Sequence, residues 1–357
     1  LFFDKLFEAN YNVNSGEAEE IRGTKKMKLL EKVQARIAFK RTFLIGLFIV
    51  LVGIGVVSLN VGSSGMTISE SIRTIVGLGS EKSRFIVFAI RLPRIIGGVF
   101  VGMGIALSGM VIQTSLNNPL ASPSTLGISS ASALGANIAI ITMAQFGFEV
   151  SAALTGLCSF IAAVGCMILV LAISSLRRSD KTMVILAGVA LNSIFSAATI
   201  IIQYFANETQ LAAAVSWTFG DLGRINFEEI RIVAIVTVLS ALMMYARRWD
   251  LNAMDSGEHT AHSLGVNTRS LRNLSIFVAA INTGVSVAFV GMIGFVGLLA
   301  PQITKRIIGE DKRFMIFGTL LMGAVIVLFS DTLARTIAAP LVLPVGAITS
   351  LIGAPVF

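Results

Sequence analysis

The sequence predicts an all-α, polytopic membrane protein, a Gly-rich packed bundle of about ten transmembrane helices. Three observations carry that expectation. The 357 residues are 55% hydrophobic and only 13% charged, against about a quarter charged in an ordinary soluble domain. Mean hydropathy is +0.83. Apolar runs long enough to cross a hydrocarbon core of about 30 Å recur along the chain. The net charge of +8 would suit nucleic acid, but the basic residues sit in short segments between apolar runs. That is how membrane topology is written, so membrane lipid is expected around the chain and nucleic acid is not.

Residues 1–41 come first and are largely polar. Because the first apolar run follows them, no cleavable signal peptide is expected. The chain opens on Leu1, and Met27, just after Gly23-Thr24-Lys25-Lys26, offers a natural start that would make 1–26 an upstream extension. Lys25, Lys26, Lys28, Lys32, Arg36, Lys40 and Arg41 alternate with apolar residues. Two readings fit this segment: a basic amphipathic helix on an anionic cytoplasmic leaflet, or a solvated basic tail.

The transmembrane domain then occupies 42–357, with apolar spans expected near 42–60, 94–116, 125–146, 149–174, 182–206, 228–246, 272–292, 294–307, 313–336 and 343–357. The eighth is short and Gly-rich, as for a partial or broken helix. The tenth is apolar up to Phe357, as expected of a chain that continues. Alternating these spans from a cytoplasmic N-terminus places 175–181, 247–271 and 305–313 inside. Those loops hold Arg177, Arg178, Lys181, Arg247, Arg248, Arg269, Arg272, Lys305, Arg306, Lys312 and Arg313. With nine more in 1–41, twenty of the 28 Lys and Arg lie inside, and the opposite orientation would violate the positive-inside rule. The chain is therefore expected in the cell membrane, multi-pass, with a cytoplasmic N-terminus.

Arg73, Lys82, Arg84, Arg91, Arg94, Arg224, Arg231 and Arg335 remain outside. Arg91, Arg94 and Arg335 differ from the rest because each abuts the end of a span. They read either as snorkelling anchors or as a landing site for a partner.

Gly97, Gly98, Gly102, Gly104 and Gly109 crowd one span, and Gly291, Gly294 and Gly297 another. Small residues let helix backbones approach closely where lipid supplies no hydrophobic drive. These glycines are candidates for path-lining and packing. Asn117-Asn118-Pro119 and Ser122-Pro123 interrupt the backbone between two spans. Irregular backbone at membrane depth needs protein or a water-filled cavity around it, although a plain structural turn fits the same residues.

No ionisable residue falls near the middle of a confident span, where the polar residues are Gln113, Asn137, Asn192, Gln203 and Asn282. Ion-coupled carriers keep ionisable groups inside, so a stand-alone secondary carrier is disfavoured. The sequence holds no GxxxxGK[ST] phosphate loop. The chain is thus not expected to be an enzyme, and any ATP and Mg would be bound by a partner ATPase, with no cofactor in this chain. His259 and His262 stand without cysteine or clustered carboxylates, so no metal site is expected. Cys158 and Cys166, about 12 Å apart on one helix, read as small core residues.

With these residues in view, the chain resembles the FecCD family of ABC-importer permeases, which carry iron–siderophores, haem or cobalamin. The resemblance runs from about residue 42 to the end. It rests on RLPRIIGGVFVGMGIALSGMVIQ at 91–113, NNPLASPSTLGISSASALGA at 117–136, ILAGVALN at 185–192, SGEHTAHSLGV at 256–266, VGMIGFVGLLAPQITKRIIGEDKR at 290–313 and SDTLARTIAAPLVLPVGAITSLIGAP at 330–355. It implies a pair of permease subunits, identical or paralogous, around a central path, with two ATPase subunits below and an extracytoplasmic substrate-binding protein above. It further implies that Arg91, Arg94 and Arg335 meet acidic residues of that binding protein, which Arg's planar fork suits. The ATPase contact would be the loop at about 247–271, around Gly257, Glu258, Ala261, Leu264 and Gly265, seated as a helix in a groove. Candidates for path and packing are Gly97, Gly98, Gly102, Asn118, Pro119, Gly291, Gly294 and Gly297. Two departures stand out: Gln302 where the family usually has His, and Val342 where it usually has Glu. The expectation is an ATP-driven importer subunit for a ferric siderophore, with haem or cobalamin as the near alternative.

Overall fold

The computed structural model describes residues 2–61, 66, 68–176 and 181–356, and no strand occurs among them. The backbone divides into two units, residues 1–46 and 47–357. Helix α1 (Phe2–Asn60) is helical throughout 25–41. Lys32, Arg36 and Arg41 are exposed on it. The side chains of Lys25, Lys26 and Lys28, and the loop residues Arg177 and Arg178, lie outside the described residues.

In the second unit α2 (Ile68–Ile75) and α3 (Glu81–Phe85) precede a π-helical turn over Ile86–Arg91 and then α4 (Leu92–Leu116). There follow α5 (Ile128–Asn137), prolonged by a π-turn to Met143, α6 (Ala152–Leu176), α7 (Lys181–Tyr204), α8 (Glu208–Thr218) and α9 (Phe227–Ala246). Short α10 (Arg248–Asp255) and α11 (Glu258–Ser263) lead into α12 (Thr268–Val290), α13 (Val296–Ile308), α14 (Lys312–Thr336) and α15 (Val345–Val356). All ten expected apolar runs are helical. Among the described residues seven helical stretches are long and apolar enough to span a membrane: 30–60, 81–116, 152–173, 182–204, 227–246, 268–290 and 312–336. Ile128–Met143, Val345–Val356 and the 13-residue α13 are shorter.

One boundary differs from expectation. The span expected from residue 94 belongs to a helical run that begins at Glu81, so Arg91 and Arg94 lie within a helix rather than at its mouth. Glu81, Lys82 and Arg84 lower the hydropathy there and hide the helix from an apolar window. Pro93 stands where the π-turn passes into α4, so the bond it cannot donate falls where the α-helical ladder is already shifted. The π-turn ahead of it lets the Leu92 N–H reach back to Val87 O.

The interruptions fall where the sequence places them. Asn117 closes α4 in the left-handed conformation, with φ 47°, and its N–H returns to Gln113 O and Thr114 O. Residues 117–127 are irregular up to Gly127. Between α12 and α13 the chain turns through Gly291 (φ 77°) and Phe295 (φ 63°), so the eighth apolar run is indeed a separate short helix. Elsewhere, Asn207 with Gln210 and Asn226 with Glu229 form capping boxes that start α8 and α9.

Burial sorts the bundle into centre and rim. The apolar windows of α4 and α12 are each 72% buried and that of α14 is 67% buried, whereas α7 is only 17% and α9 28% buried. The poorly buried helices present Leu186, Ile200, Ile201, Ile235, Leu239 and Leu242 outward, which suits hydrocarbon as solvent. At the centre the glycines set the spacing. A methyl on Gly102 would lie 2.5 Å from Gly323 O of α14, and one on Gly109 only 1.5 Å from Gly297 O of α13. Gly97 and Gly98 are filled by Ile225 and Leu222. Gly97, Gly98 and Gly102 are therefore packing positions.

Candidate functional site: an arginine cluster, a neutral cleft and a paired internal segment

At one end of the bundle the three singled-out arginines converge on each other and on α1. Arg94 Nε donates to Asp331 Oδ1 at 2.8 Å, and Arg335 Nε donates to the other oxygen, Oδ2, at 3.0 Å. Arg94 Nη2 also lies 3.2 Å from Asp221 Oδ1. Arg335 donates to Val61 O at 2.8 Å and to Ser58 O at 3.3 Å, and pairs with Ser58 Oγ. Arg91 donates to Leu59 O. Arg91 and Arg335 thus satisfy carbonyls at the C-terminus of α1, where orphaned acceptors and the negative end of the helix dipole attract cations.

All three arginines are turned inward: Arg91 is 4% and Arg94 9% exposed, and the Arg335 side chain is 9% exposed. Asp331 is completely buried, while the Asp221 side chain, 40% exposed, is the member of the cluster most open to solvent. The sequence pointed to the arginines through their position. It pointed to Asp331 only as the fourth residue before Arg335, and it gave no signal for Asp221.

The second feature is a cleft between the two irregular segments. A cavity of about 500 Å³ is lined by Ser124, Thr125, Ser129, Ser130, Asn192, Thr218, Met292, Ile293, Gly294 and Ser350, among others. An adjoining one of about 280 Å³ adds Ile105, Ser122, Pro123, Thr283, Phe295, Gly297 and Leu298. Among these described residues none is titratable. Gly294 and Gly297 therefore border the cleft, whereas Gly291 packs against Trp217 O and Gly220. The polar lining is hydroxyl and amide, largely neutral donors and acceptors that can turn to face water or a polar solute.

Asn118 and Pro119 lie elsewhere, in a small pocket of about 40 Å³ with Gln113, Asp255, Gln302 and Lys312. Gln302 Nε2 donates to Gln113 Oε1 at 2.7 Å, and Gln113 Nε2 donates to Leu298 O at 3.3 Å. Gln302 thus closes an uncharged link between α4 and α13. Val342, the other departure, is 51% exposed.

The third feature is the 247–271 segment. Gly257 and Glu258 are half-buried, Leu264 and Gly265 are exposed, and Ala261 is fully buried. Ala261 therefore faces the bundle, and the outer face of α11 is made by His259, Thr260, Ser263 and Leu264. Lys312 Nζ meets Asp255 Oδ2 at 2.6 Å, and Arg272 pairs with Glu258. Burial pushes the Asp255 carboxyl above its ordinary range, with Lys312 pulling the other way.

Central helices joined by bare backbone, two interrupted segments and an uncharged cleft between them describe a membrane transport permease subunit. The chain belongs to the FecCD transport family, which matches residues 48–357. A Methanocaldococcus jannaschii protein assigned as an ABC transporter permease is 44% identical, over 93% of this chain and 95% of its own. The hemin transport system permease protein of Yersinia pestis is 33% identical, over 87% of this chain and 92% of its own. A solved structure described as an inward-facing, metal-chelate type ABC transporter superposes with TM-score 0.77 at 31% identity, over 89% of this chain and 97% of its own. Permeases 32–34% identical are named for Fe(3+)-citrate import in Bacillus subtilis, molybdate import in Haemophilus influenzae and cobalamin import in Halobacterium salinarum.

Proposed function

We propose that this ABC permease moves a ferric siderophore inward, handed over by an extracytoplasmic binding protein and driven by two ATPase subunits that bind ATP and Mg. The observation that carries the reading is the cleft: about 500 Å³, bordered by hydroxyls and with no titratable group among its described lining residues. A neutral lining suits a bulky chelate that another protein selects and delivers, because a strong site in the passage would retard release. Iron-chelate names among the relatives support the cargo class, with haem or cobalamin as the alternative.

In this reading the binding protein docks at the end bearing Arg91, Arg94 and Arg335. Among the described residues Arg94 and Arg335 share the buried carboxylate of Asp331, with the half-exposed Asp221 beside Arg94, which supports a cationic end that steers acidic residues of the partner. A second permease copy or a paralogue completes the path, and the N-terminus is cytoplasmic.

The test is uptake into proteoliposomes holding the permease with its ATPase partner, supplied with binding protein loaded with radio-iron ferrichrome. ATP-dependent accumulation is expected. Uptake of hemin or cobalamin but not ferrichrome would move the cargo to the alternative. Uptake by the permease alone would overturn the importer reading in favour of a secondary carrier.

A further inference from the structure

Gly257 stands between two ion pairs whose cations are buried, and each pair ties the internal segment to a different central helix. On one side Asp255, the last residue of α10, meets Lys312 Nζ at 2.6 Å at the start of α14. One turn earlier, Asn252 Oδ1 accepts the Lys312 backbone N–H at 2.9 Å. On the other side Glu258, the first residue of α11, pairs with Arg272 in α12 and accepts from Thr268 Oγ1 at 3.3 Å. The side chains of Lys312 and Arg272 are 1% and 2% exposed, and those of their partners Asp255 and Glu258 are 18% and 39% exposed.

These pairs are poorly explained as devices for stability. A buried ion pair is roughly neutral against an apolar replacement of similar volume. Leu251, Met254 and Ala261 already bury α10 and α11 on the bundle. What a hydrogen-bonded charge pair adds is fixed direction and spacing, where an apolar contact could slide. Between the pairs, Gly257 has φ 102° and ψ 151°, a region essentially reserved for glycine, and a Cβ there would meet nothing within 4 Å. The joint is thus conformationally special without being crowded.

We propose that Glu258–Arg272 and Asp255–Lys312 are the positioning links through which movement of α11 reaches the cleft. Glu258 shifts α12, which carries Thr283 at the cleft wall about 16 Å along the helix from Arg272. Asp255 holds α14, so the Gly257 joint takes up the difference between the two helices. The inference rests on 247–271 being the ATPase contact.

The test uses the assembled complex with its ATPase subunits in proteoliposomes, with S350C in a C158A background as reporter and an impermeant maleimide as probe. E258Q/R272M and D255N/K312M remove both charges of a pair, so no buried charge is orphaned and folding is preserved. In the parent complex, trapping the ATPase with ADP and vanadate changes S350C labelling by about tenfold. In either double variant that assembles with its ATPase that change is lost, while R272K, which keeps the charge, retains most of it. Parent-like labelling responses in both double variants would overturn the links. Loss of assembly with the ATPase in both would assign the pairs to folding and overturn them equally. A parent complex that hydrolyses ATP with no labelling change would instead sink the importer reading.

Discussion

Asp331 gives one oxygen to Arg94 and the other to Arg335, in a site with no exposure of its own. Removing it leaves two buried guanidiniums with only the half-exposed Asp221, beside Arg94, as counter-ion. Asp331→Leu should therefore lower stability by about 3–5 kcal/mol, seen as a large fall in the melting temperature of the purified protein. Asp221 is different, because its half-exposed carboxylate can be replaced by water. Asp221→Asn should leave melting nearly unchanged and strengthen capture of an acidic binding protein, measured by surface-immobilised affinity. Weaker capture would argue against arginine-led docking. The arginines were legible in the sequence because cations flanking apolar runs are conspicuous. Their inward orientation was not, since it depends on the α1 carbonyls, which only the folded chain brings near. Ala261 likewise looked like a contact residue, and only the packing of α11 shows it buried.

At the scale of the helix, glycine is decisive where backbones meet and idle where they do not. Gly109→Ala should drive its methyl into Gly297 O, 1.5 Å from the ideal position, and a shift of backbone is the only relief. A cost of 1–3 kcal/mol or more is expected, measured as loss of folded protein in detergent. Gly53, in an exposed part of α1 with nothing within 4 Å, should accept Ala with a gain of about 0.5–1 kcal/mol. Equal effects at the two sites would contradict the packing described. Glycine density and the breaks at Asn117 and Gly291 were readable from residue type. Which helix each glycine meets was not, because spacing along one helix carries no information about its partner. Helix 81–93 escaped for another reason: its charges mask an apolar face, and a window average cannot separate faces.

For the whole molecule, the readable part was the solvent and the path of the chain through it, because hydrocarbon imposes length and composition on every span. The cleft was not readable, since its walls come from residues near 124, 192, 292 and 350 that meet only on folding. Ser129→Trp, which fills that space, should cut substrate uptake about tenfold while the partner's ATP hydrolysis continues, as measured in proteoliposomes. Unchanged uptake would place the passage elsewhere. The seams between α4, α13 and α14 have a further consequence. Where backbone lies on backbone there are no rotamers to change, so these three helices cannot loosen by degrees. They form a keel, and alternation between open and closed forms has to come from parts swinging around it. Amide exchange should accordingly be slowest along the keel and faster in the short segments that flank the cleft, in whichever state the transporter is caught.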